Sequence, residues 1–297
     1  MTATNQQTIG FVGLGAMGTP MTRVLLAAGF PVRGSDLRQA ALDDLAALGG
    51  IACASAADAA RGVDVLLLMV VNAAQAEAVL FDSGALDALP AHASVIVTAT
   101  CPPSAVKALA ARVTATGRGF VDAPVSGGVA GAAAGRLTIM AAAPAETIAK
   151  VRPVLDALGG DRVFIVGDEV GQGAVVKTVN QLLCGAHIAV AAEGLALAEK
   201  LGMDGKMLLE ILGGSAASSW MLKDRGPRML EDEPVVASAV DIFVKDLGIV
   251  MQAGRDAGAA LPMAALAHQL FLSTSGRGDG AADDSQVIRS YRLLNGG

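Results

Sequence analysis

Two short polar segments of this chain combine residue types that could carry out acid–base chemistry on a small acid. Residues 122–128 are DAPVSGG, and residues 171–181 are GQGAVVKTVNQ. Two glycines behind a serine favour a turn whose successive backbone N–H groups point outward, and such a turn can hold a carboxylate. The first segment therefore predicts a substrate-binding turn at Ser126, Gly127 and Gly128.

The second segment centres on Lys177, which we expect to lie in a long helix. Asn180 and Gln181 follow it at i+3 and i+4, so all three side chains share one helical face. No acidic residue stands three or four positions from Lys177, which weakens the alternative of a surface or interdomain lysine paired with Asp or Glu. We predict Lys177 as the catalytic acid–base group, with the two amides as substrate-orienting or helix-packing residues.

The N-terminal part of the chain predicts a binding site for an oxidant. The sequence TIGFVGLGAMGTPM starts with a short apolar strand, residues 8–12, and continues through three glycines at G-x-G-x-x-G spacing into an apolar helical pattern. These glycines allow a tight turn, a close approach of a pyrophosphate and close packing of helix on strand. A glycine-rich turn without a ligand is the alternative, but the flanking strand and helix favour a dinucleotide. The predicted cofactor loop comprises Gly13, Leu14, Gly15, Ala16, Met17 and Gly18.

Asp36 indicates which dinucleotide binds. It ends a second predicted strand, residues 31–35, and an acid at this position accepts hydrogen bonds from ribose hydroxyls and repels a 2′-phosphate. Arg38 could instead serve a 2′-phosphate, and Asp36 could cap a helix beginning near Leu37. We predict NAD rather than NADP.

The order of elements predicts a doubly wound, mostly parallel α/β sheet of the Rossmann type. Residues 63–71, VDVLLLMVV, form the continuous apolar run that a buried parallel strand needs. Ligands of such sheets bind outside the carboxyl ends of the strands, so Val71, Asn72 and Thr100 are expected to face the cofactor. A plain turn hydroxyl is the alternative role for Thr100.

From Gly171 onward the pattern is helical only. Residues 174–201 contain no proline and predict a long helix that joins the sheet to an all-α C-terminal half. We predict a nucleotide-binding domain at residues 1–168 and a helical substrate and dimerisation domain at residues 169–297. The apolar helical half exposes more apolar surface than a small bundle can cover, so we expect a homodimer or homotetramer.

Composition argues against several other classes of protein. The 297 residues carry a net charge of −6, which disfavours nucleic acid as a partner. An uncharged stretch, residues 88–106, contains three prolines and a histidine, which does not fit a membrane span. The cysteines and histidines are few and scattered, so neither a disulfide framework nor a metal site is predicted. Residues 1–7 lack the features of a signal peptide, which predicts a cytoplasmic protein.

The glycine loop, the two polar segments and residues 245–250, KDLGIV, together resemble the β-hydroxyacid dehydrogenase family, which includes 3-hydroxyisobutyrate dehydrogenase and tartronate semialdehyde reductase. The resemblance implies Lys177 as the catalytic residue, Ser126–Gly128 as the site of the substrate carboxylate, and Lys245 near the cofactor. Pairing of Lys245 with Asp241 is the alternative. Gln181 and the sequence VTAT at residues 97–100 depart from the usual family pattern.

Several further segments resemble most closely the branch of this family that oxidises L-threonate at C2 with NAD. They include SSWMLKDR at residues 218–225 and DDSQVI at residues 283–288. Chemistry on 3-hydroxyisobutyrate or tartronate semialdehyde is the alternative within the family, and a non-catalytic nucleotide-binding module is the alternative outside it. Trp220, the only tryptophan, is expected in the helical core.

Overall fold

The computed structural model describes residues 7–296 and divides the chain into two compact units that meet at Lys177–Thr178. A mostly parallel sheet with helices forms the first unit, and helices form the second. This confirms the predicted fold class. Residues 1–6, which contain most of the segment considered as a signal peptide, lie outside the described residues, as does Gly297.

The first unit alternates strands with helices. Its strands are β1 (Ile9–Val12), β2 (Val32–Ser35), β3 (Ile51–Ala52), β4 (Val65–Leu68), β5 (Ser94–Val97), β6 (Gly119–Asp122), β7 (Val125–Ser126), β8 (Thr138–Ala142) and β9 (Val163–Gly167). Its helices are α1 (Gly18–Ala27), α2 (Gln39–Ala47), α3 (Ala56–Ala60), α4 (Ala73–Glu77), α5 (Ala85–Ala88), α6 (Pro103–Thr114), α7 (Gly128–Ala133) and α8 (Ala145–Gly159).

The sheet has the strand order β3-β2-β1-β4-β5-β6-β8-β7, with β9 paired to β8. Strands β1 to β6 run parallel, whereas β8 is antiparallel to β6 and β7. Leu67 lies in the core on one face, and its neighbours Leu66 and Leu68 lie in the core on the other. Because successive side chains of a strand alternate between faces, a strand covered on both faces must be apolar throughout.

Two predicted elements differ from the structure. The apolar run at residues 63–71 contains a strand only at Val65–Leu68. The backbone that follows packs against the glycine loop instead, since a Cβ on Gly13 would lie 2.3 Å from the Met69 carbonyl oxygen. Val71 is accordingly exposed. The DAPVSGG segment, predicted as a turn, also contains β7, a strand too short to give an alternating sequence signal.

The second unit is helical and begins within a helix that it shares with the first. Its helices are α9 (Gln172–Lys200), α10 (Gly205–Gly213), α11 (Trp220–Met229), α12 (Val240–Ala257), α13 (Pro262–Thr274) and α14 (Ile288–Leu294). Stacked rings of Phe243 and Phe271, 5.1 Å apart, lie in its core. The placement of Trp220 in the core is wrong: its side chain is 55% exposed, because α11 turns Met221 and Leu222 inward instead.

Helix α9 is the one helix in residues 7–296 that is long and apolar enough to cross a membrane, by length and composition only. Half of its most apolar window is buried within the protein. A core helix passes the same test, so this property carries no weight as evidence for a membrane span.

Candidate active site

The three glycines of the N-terminal loop occupy three different environments. Gly13 has a φ of +97°, which favours glycine, and Gly18 packs so closely that a Cβ would lie 1.9 Å from the Gly13 carbonyl oxygen. A Cβ on Gly15 would meet nothing within 4 Å. Open space beside Gly15, ahead of the N-terminus of α1, suits the close approach of a pyrophosphate.

Asp36 joins this loop to the end of β2. Its Oδ2 accepts a hydrogen bond of 2.7 Å from the Leu14 N–H, and its Oδ1 accepts one of 2.9 Å from the Arg38 N–H. Burial would raise the pKa of Asp36, but these N–H groups and the Arg38 guanidinium outweigh it and hold the pKa below its ordinary value. The alternative of a helix cap is wrong, since the residue preceding α2 is Arg38 itself.

Arg38 contacts both Asp36 and the glycine loop. Its Nε is 3.1 Å from Asp36 Oδ1, and its Nη2 donates a hydrogen bond of 2.8 Å to the Leu14 carbonyl oxygen. The side chain remains 62% exposed. The carboxylate predicted to meet the ribose is therefore already paired with a cation.

The loops after β4 and β5 contain the remaining predicted cofactor residues of this unit. Asn72 caps α4 by accepting a hydrogen bond of 2.9 Å from the Gln75 N–H, and the Gln75 side chain accepts one of 2.9 Å from the Val71 N–H. Thr100 is half-buried three residues beyond β5. The parallel ladders place these loops at the same sheet edge as Asp36 and the glycine loop.

Asp122 ends β6 and holds the start of α9. Its side chain is buried, and its Oδ2 accepts hydrogen bonds of 3.0 Å from the Gly171 N–H and 2.8 Å from the Ala174 N–H. Burial raises the pKa of Asp122 to about 6, while these N–H groups and that of Gly173 act in the opposite direction. The first turn of α9 is thereby attached to the carboxyl end of a central strand.

The serine–glycine turn and Lys177 belong to the same unit. Ser126 ends β7, and Gly127 and Gly128 follow with φ values of +123° and +61°, a backbone that side chains rarely adopt. Lys177 lies in the second turn of α9 and is only 6% exposed. An exposed surface lysine is therefore the wrong interpretation of Lys177.

The other predicted polar residues belong to the helical unit and form one cluster. The Gln181 Nε2 donates a hydrogen bond of 2.5 Å to Asp246 Oδ2, and the Asn180 Nδ2 donates one of 2.8 Å to Gln181 Oε1. Lys245 Nζ lies 2.9 Å from Asp246 Oδ1. Asp241, the alternative partner of Lys245, accepts a hydrogen bond of 2.6 Å from the Ser275 hydroxyl.

Sequence reasoning missed two of these contacts. Asp122 opens the DAPVSGG segment, yet its contact with a helix start far along the chain has no local sequence signal. Asp246 follows Lys245 directly in KDLG, and this adjacency of an acid and a lysine was the sequence signal that could have indicated their pairing. Among residues 7–296, no group of three or more His, Cys, Asp or Glu side chains is placed to hold a metal ion.

Comparison with known proteins identifies the family. Residues 8–167 match the NAD binding domain of 6-phosphogluconate dehydrogenase, and residues 171–291 match the NAD-binding domain of NADP-dependent 3-hydroxyisobutyrate dehydrogenase. An L-threonate dehydrogenase of Cupriavidus necator is 45% identical over 95% of each chain. The chain belongs to the β-hydroxyacid dehydrogenase family.

Other members of the β-hydroxyacid dehydrogenase family extend the comparison. An L-threonate dehydrogenase of Haemophilus influenzae is 38% identical over 95% of this chain and 94% of its own length. The crystal structure of a 3-hydroxyisobutyrate dehydrogenase from Salmonella typhimurium has a TM-score of 0.92 at 39% identity, covering 96% of this chain and 99% of that one. The protein is an NAD-dependent hydroxyacid dehydrogenase.

The residues of the first unit fit this cofactor. Open space at Gly15 leaves room for the pyrophosphate, and the first turn of α1 contains no acidic residue that would repel it. Asp36 lies at the end of β2, where the adenosine ribose is bound in sheets of this kind.

Proposed function

We propose that the protein oxidises L-threonate, or a closely related four-carbon sugar acid, at C2 with NAD and Lys177 as the general base. Relatives named L-threonate dehydrogenase at 45% and 38% identity support the substrate. The observation that carries the mechanism is the burial of Lys177, at 6% exposure, on a helix whose first turn is bonded to the sheet edge. A lysine that is buried in this way is shielded from bulk water, whereas a surface lysine is not.

The proposed reaction needs two transfers from the substrate. The bound nicotinamide supplies the hydride acceptor for the hydrogen on C2. Lys177, as the neutral amine, accepts the proton of the C2 hydroxyl through Nζ and becomes an ammonium. In the reverse direction it donates that proton to the oxygen of the 2-oxo acid.

The remaining polar groups have proposed binding roles. Ser126, Gly127 and Gly128 would hold the substrate carboxylate. Asn180 would meet a hydroxyl group, while Gln181 is engaged by Asp246 and would orient Asn180. Lys245, paired with Asp246, would lie near the cofactor.

Steady-state kinetics with NAD test the substrate. We expect a specificity constant for L-threonate at least about 10²-fold above that for 3-hydroxyisobutyrate, because a site built to bind hydroxyl groups leaves polar groups unpaired when they are missing. D-threonate and L-serine serve as controls for stereochemistry and for the amino group. A higher specificity constant for 3-hydroxyisobutyrate would refute L-threonate as the substrate and leave the reaction class standing. 3-Hydroxyisobutyrate is the second candidate because the Salmonella structure is that of a 3-hydroxyisobutyrate dehydrogenase.

We further propose that the enzyme is a cytoplasmic homodimer or homotetramer. Exposed apolar side chains follow one another along α9, and they support burial against another copy: Val175, Val179, Leu183, Val190 and Leu197. Sedimentation at micromolar concentration should show a dimer or tetramer. A monomer under those conditions would contradict the assembly.

A further inference from the structure

The residue before the helix that carries Lys177 cannot cap it with a side chain. Gly171, which precedes α9, has a φ of +99° and no side chain that could accept N–H groups of the first turn. Asp122, 49 residues earlier, supplies the acceptor: its Oδ2 takes the N–H groups of Gly171 and Ala174. This carboxylate is 1% exposed, so water does not compete for the two hydrogen bonds.

The packing around this contact leaves the helix start no room to move inward. A Cβ on Gly173 would lie 2.4 Å from the Met140 carbonyl oxygen and 2.9 Å from that of Asp122. A Cβ on Gly171 would lie 2.7 Å from Lys107 Cε. Gly173 therefore lets the first turn pack directly against the backbones of β6 and β8, and Gly171 lets the helix start pack against the Lys107 side chain.

Lys177 lies on the helical face that makes these contacts. It follows Gly173 by four residues and Ala174 by three, the spacings at which side chains of a helix lie above one another. Asp122 also precedes Ser126 by four residues in the same short segment. One side chain thus connects the proposed carboxylate turn to the helix of the proposed catalytic lysine.

We propose that Asp122 is a positioning residue that sets the place of Lys177 relative to the Ser126–Gly128 turn by holding the first turn of α9. The inference rests on the proposed role of Lys177. A misplacement of about 1 Å can lower a rate about 10²-fold, so a lost anchor should reduce turnover without touching the cofactor loop.

Three variants test the anchor. Asp122→Ala removes the acceptor, and we expect kcat to fall about 10- to 100-fold while the Kd for NAD changes less than about threefold. Asp122→Asn keeps a carbonyl oxygen and should recover most of the lost kcat. Gly173→Ala leaves the carboxylate intact but forces the helix start outward, and it should lower kcat in the same way.

Asp64→Ala is the matched control. Asp64 also accepts a backbone N–H, that of Thr8 at 2.8 Å, but it precedes β4 and so lies at the opposite edge of the same sheet. It should change stability and leave kcat per folded enzyme within about twofold of wild type. Thermal unfolding of every variant gives the folded fraction at the assay temperature.

Lys177→Ala, assayed in parallel, separates the two proposals. If it abolishes turnover while Asp122→Ala keeps wild-type kcat, the positioning role is overturned and the catalytic lysine stands. If Lys177→Ala itself retains turnover, the proposed mechanism fails first. A loss in Asp122→Ala that appears only in stability, or only in NAD affinity, would also overturn the positioning role.

Discussion

Asp122 in the nucleotide-binding unit and Asp284 in the helical unit are both buried carboxylates, but they have different kinds of partner. In the nucleotide-binding unit, Asp122 accepts backbone N–H groups at a helix start. In the helical unit, Asp284 accepts two hydrogen bonds of 2.9 Å from the guanidinium of Arg225, and Asp246 pairs with the side chains of Gln181 and Lys245. The first arrangement fixes main chain, and the second fixes helices against one another.

This difference predicts different responses to mutation. A backbone N–H that loses its acceptor is one neutral donor, and a loop can shift to offer it water. A guanidinium or carboxylate that loses its partner inside a helical core is a buried charge, which costs far more. We therefore expect function to respond most in the first unit and stability to respond most in the second.

The largest expected effect is on kcat, and it should distinguish Lys177 in the first unit from Lys245 in the second. Lys177→Ala should lower kcat about 10²- to 10⁴-fold with little change in the Kd for NAD, because it removes the proposed proton acceptor. Lys245→Ala should instead raise the apparent KM for NAD and change kcat much less. Stopped-flow and equilibrium binding separate the two parameters, and a Lys177→Ala enzyme with more than a tenth of wild-type kcat would remove this lysine from the mechanism.

Stability should respond most strongly to Arg225→Met. The change leaves Asp284, which is 0% exposed, as a buried carboxylate without its bidentate partner, at a cost of about 3–5 kcal/mol in the free energy of unfolding. Arg225→Met combined with Asp284→Leu should recover much of that loss. Urea unfolding followed by circular dichroism measures both, and a double variant no more stable than the single one would contradict the pairing argument.

The pH dependence of stability should have opposite signs at Asp122, in the first unit, and at Asp283, in the second. The pKa of Asp122 rises from 3.8 to about 6 on folding, so the folded state binds the extra proton and loses stability as pH rises from about 4 through about 6. The free energy of unfolding falls by about 3 kcal/mol over this range.

The pKa of Asp283 is lowered. Burial opposes this shift, but the Ser285 hydroxyl, the Ala237 N–H and Arg228 outweigh the effect of burial. Its contribution is present above about pH 4 and is lost as pH falls below that value.

Two variants separate these slopes. Asp122→Asn should flatten the fall in stability between about pH 4 and pH 6, and Asp283→Asn should flatten only the loss below about pH 4. Urea unfolding at several pH values measures both. Unchanged slopes between pH 4 and pH 6 in Asp122→Asn would show that this carboxyl does not titrate in that range.

The smallest expected effect concerns cofactor choice in the first unit. We expect the wild-type enzyme to favour NAD over NADP, because Asp36 would face a 2′-phosphate. Arg38 neutralises part of that charge, so Arg38→Ala should widen the preference a further few-fold by weakening NADP. Specificity constants measured with NAD and with NADP test this preference. A preference for NADP in the wild type would show that Arg38, rather than Asp36, determines which cofactor binds.

Much of the first unit could be predicted from its residues. The strand, glycine loop and helix around Gly13–Gly18 have local patterns, and parallel strands necessarily bring their carboxyl ends to one edge, so Asp36, Asn72 and Thr100 gather there. Residue spacing also indicated the long helix that carries Lys177. The end of β4 was misjudged, since apolar residues continue beyond the sheet into a loop.

The sequence by itself determined the sheet, the cofactor loop and the helix of the candidate lysine, because each depends on periods and turns among neighbouring residues. Only the tertiary structure decided what the buried charges do. Asp122 meets the start of α9 across 49 residues, and Arg225 meets Asp284 across 59. Such contacts depend on how separate elements pack, and no local pattern in the chain specifies which carboxylate receives a backbone N–H and which receives a guanidinium.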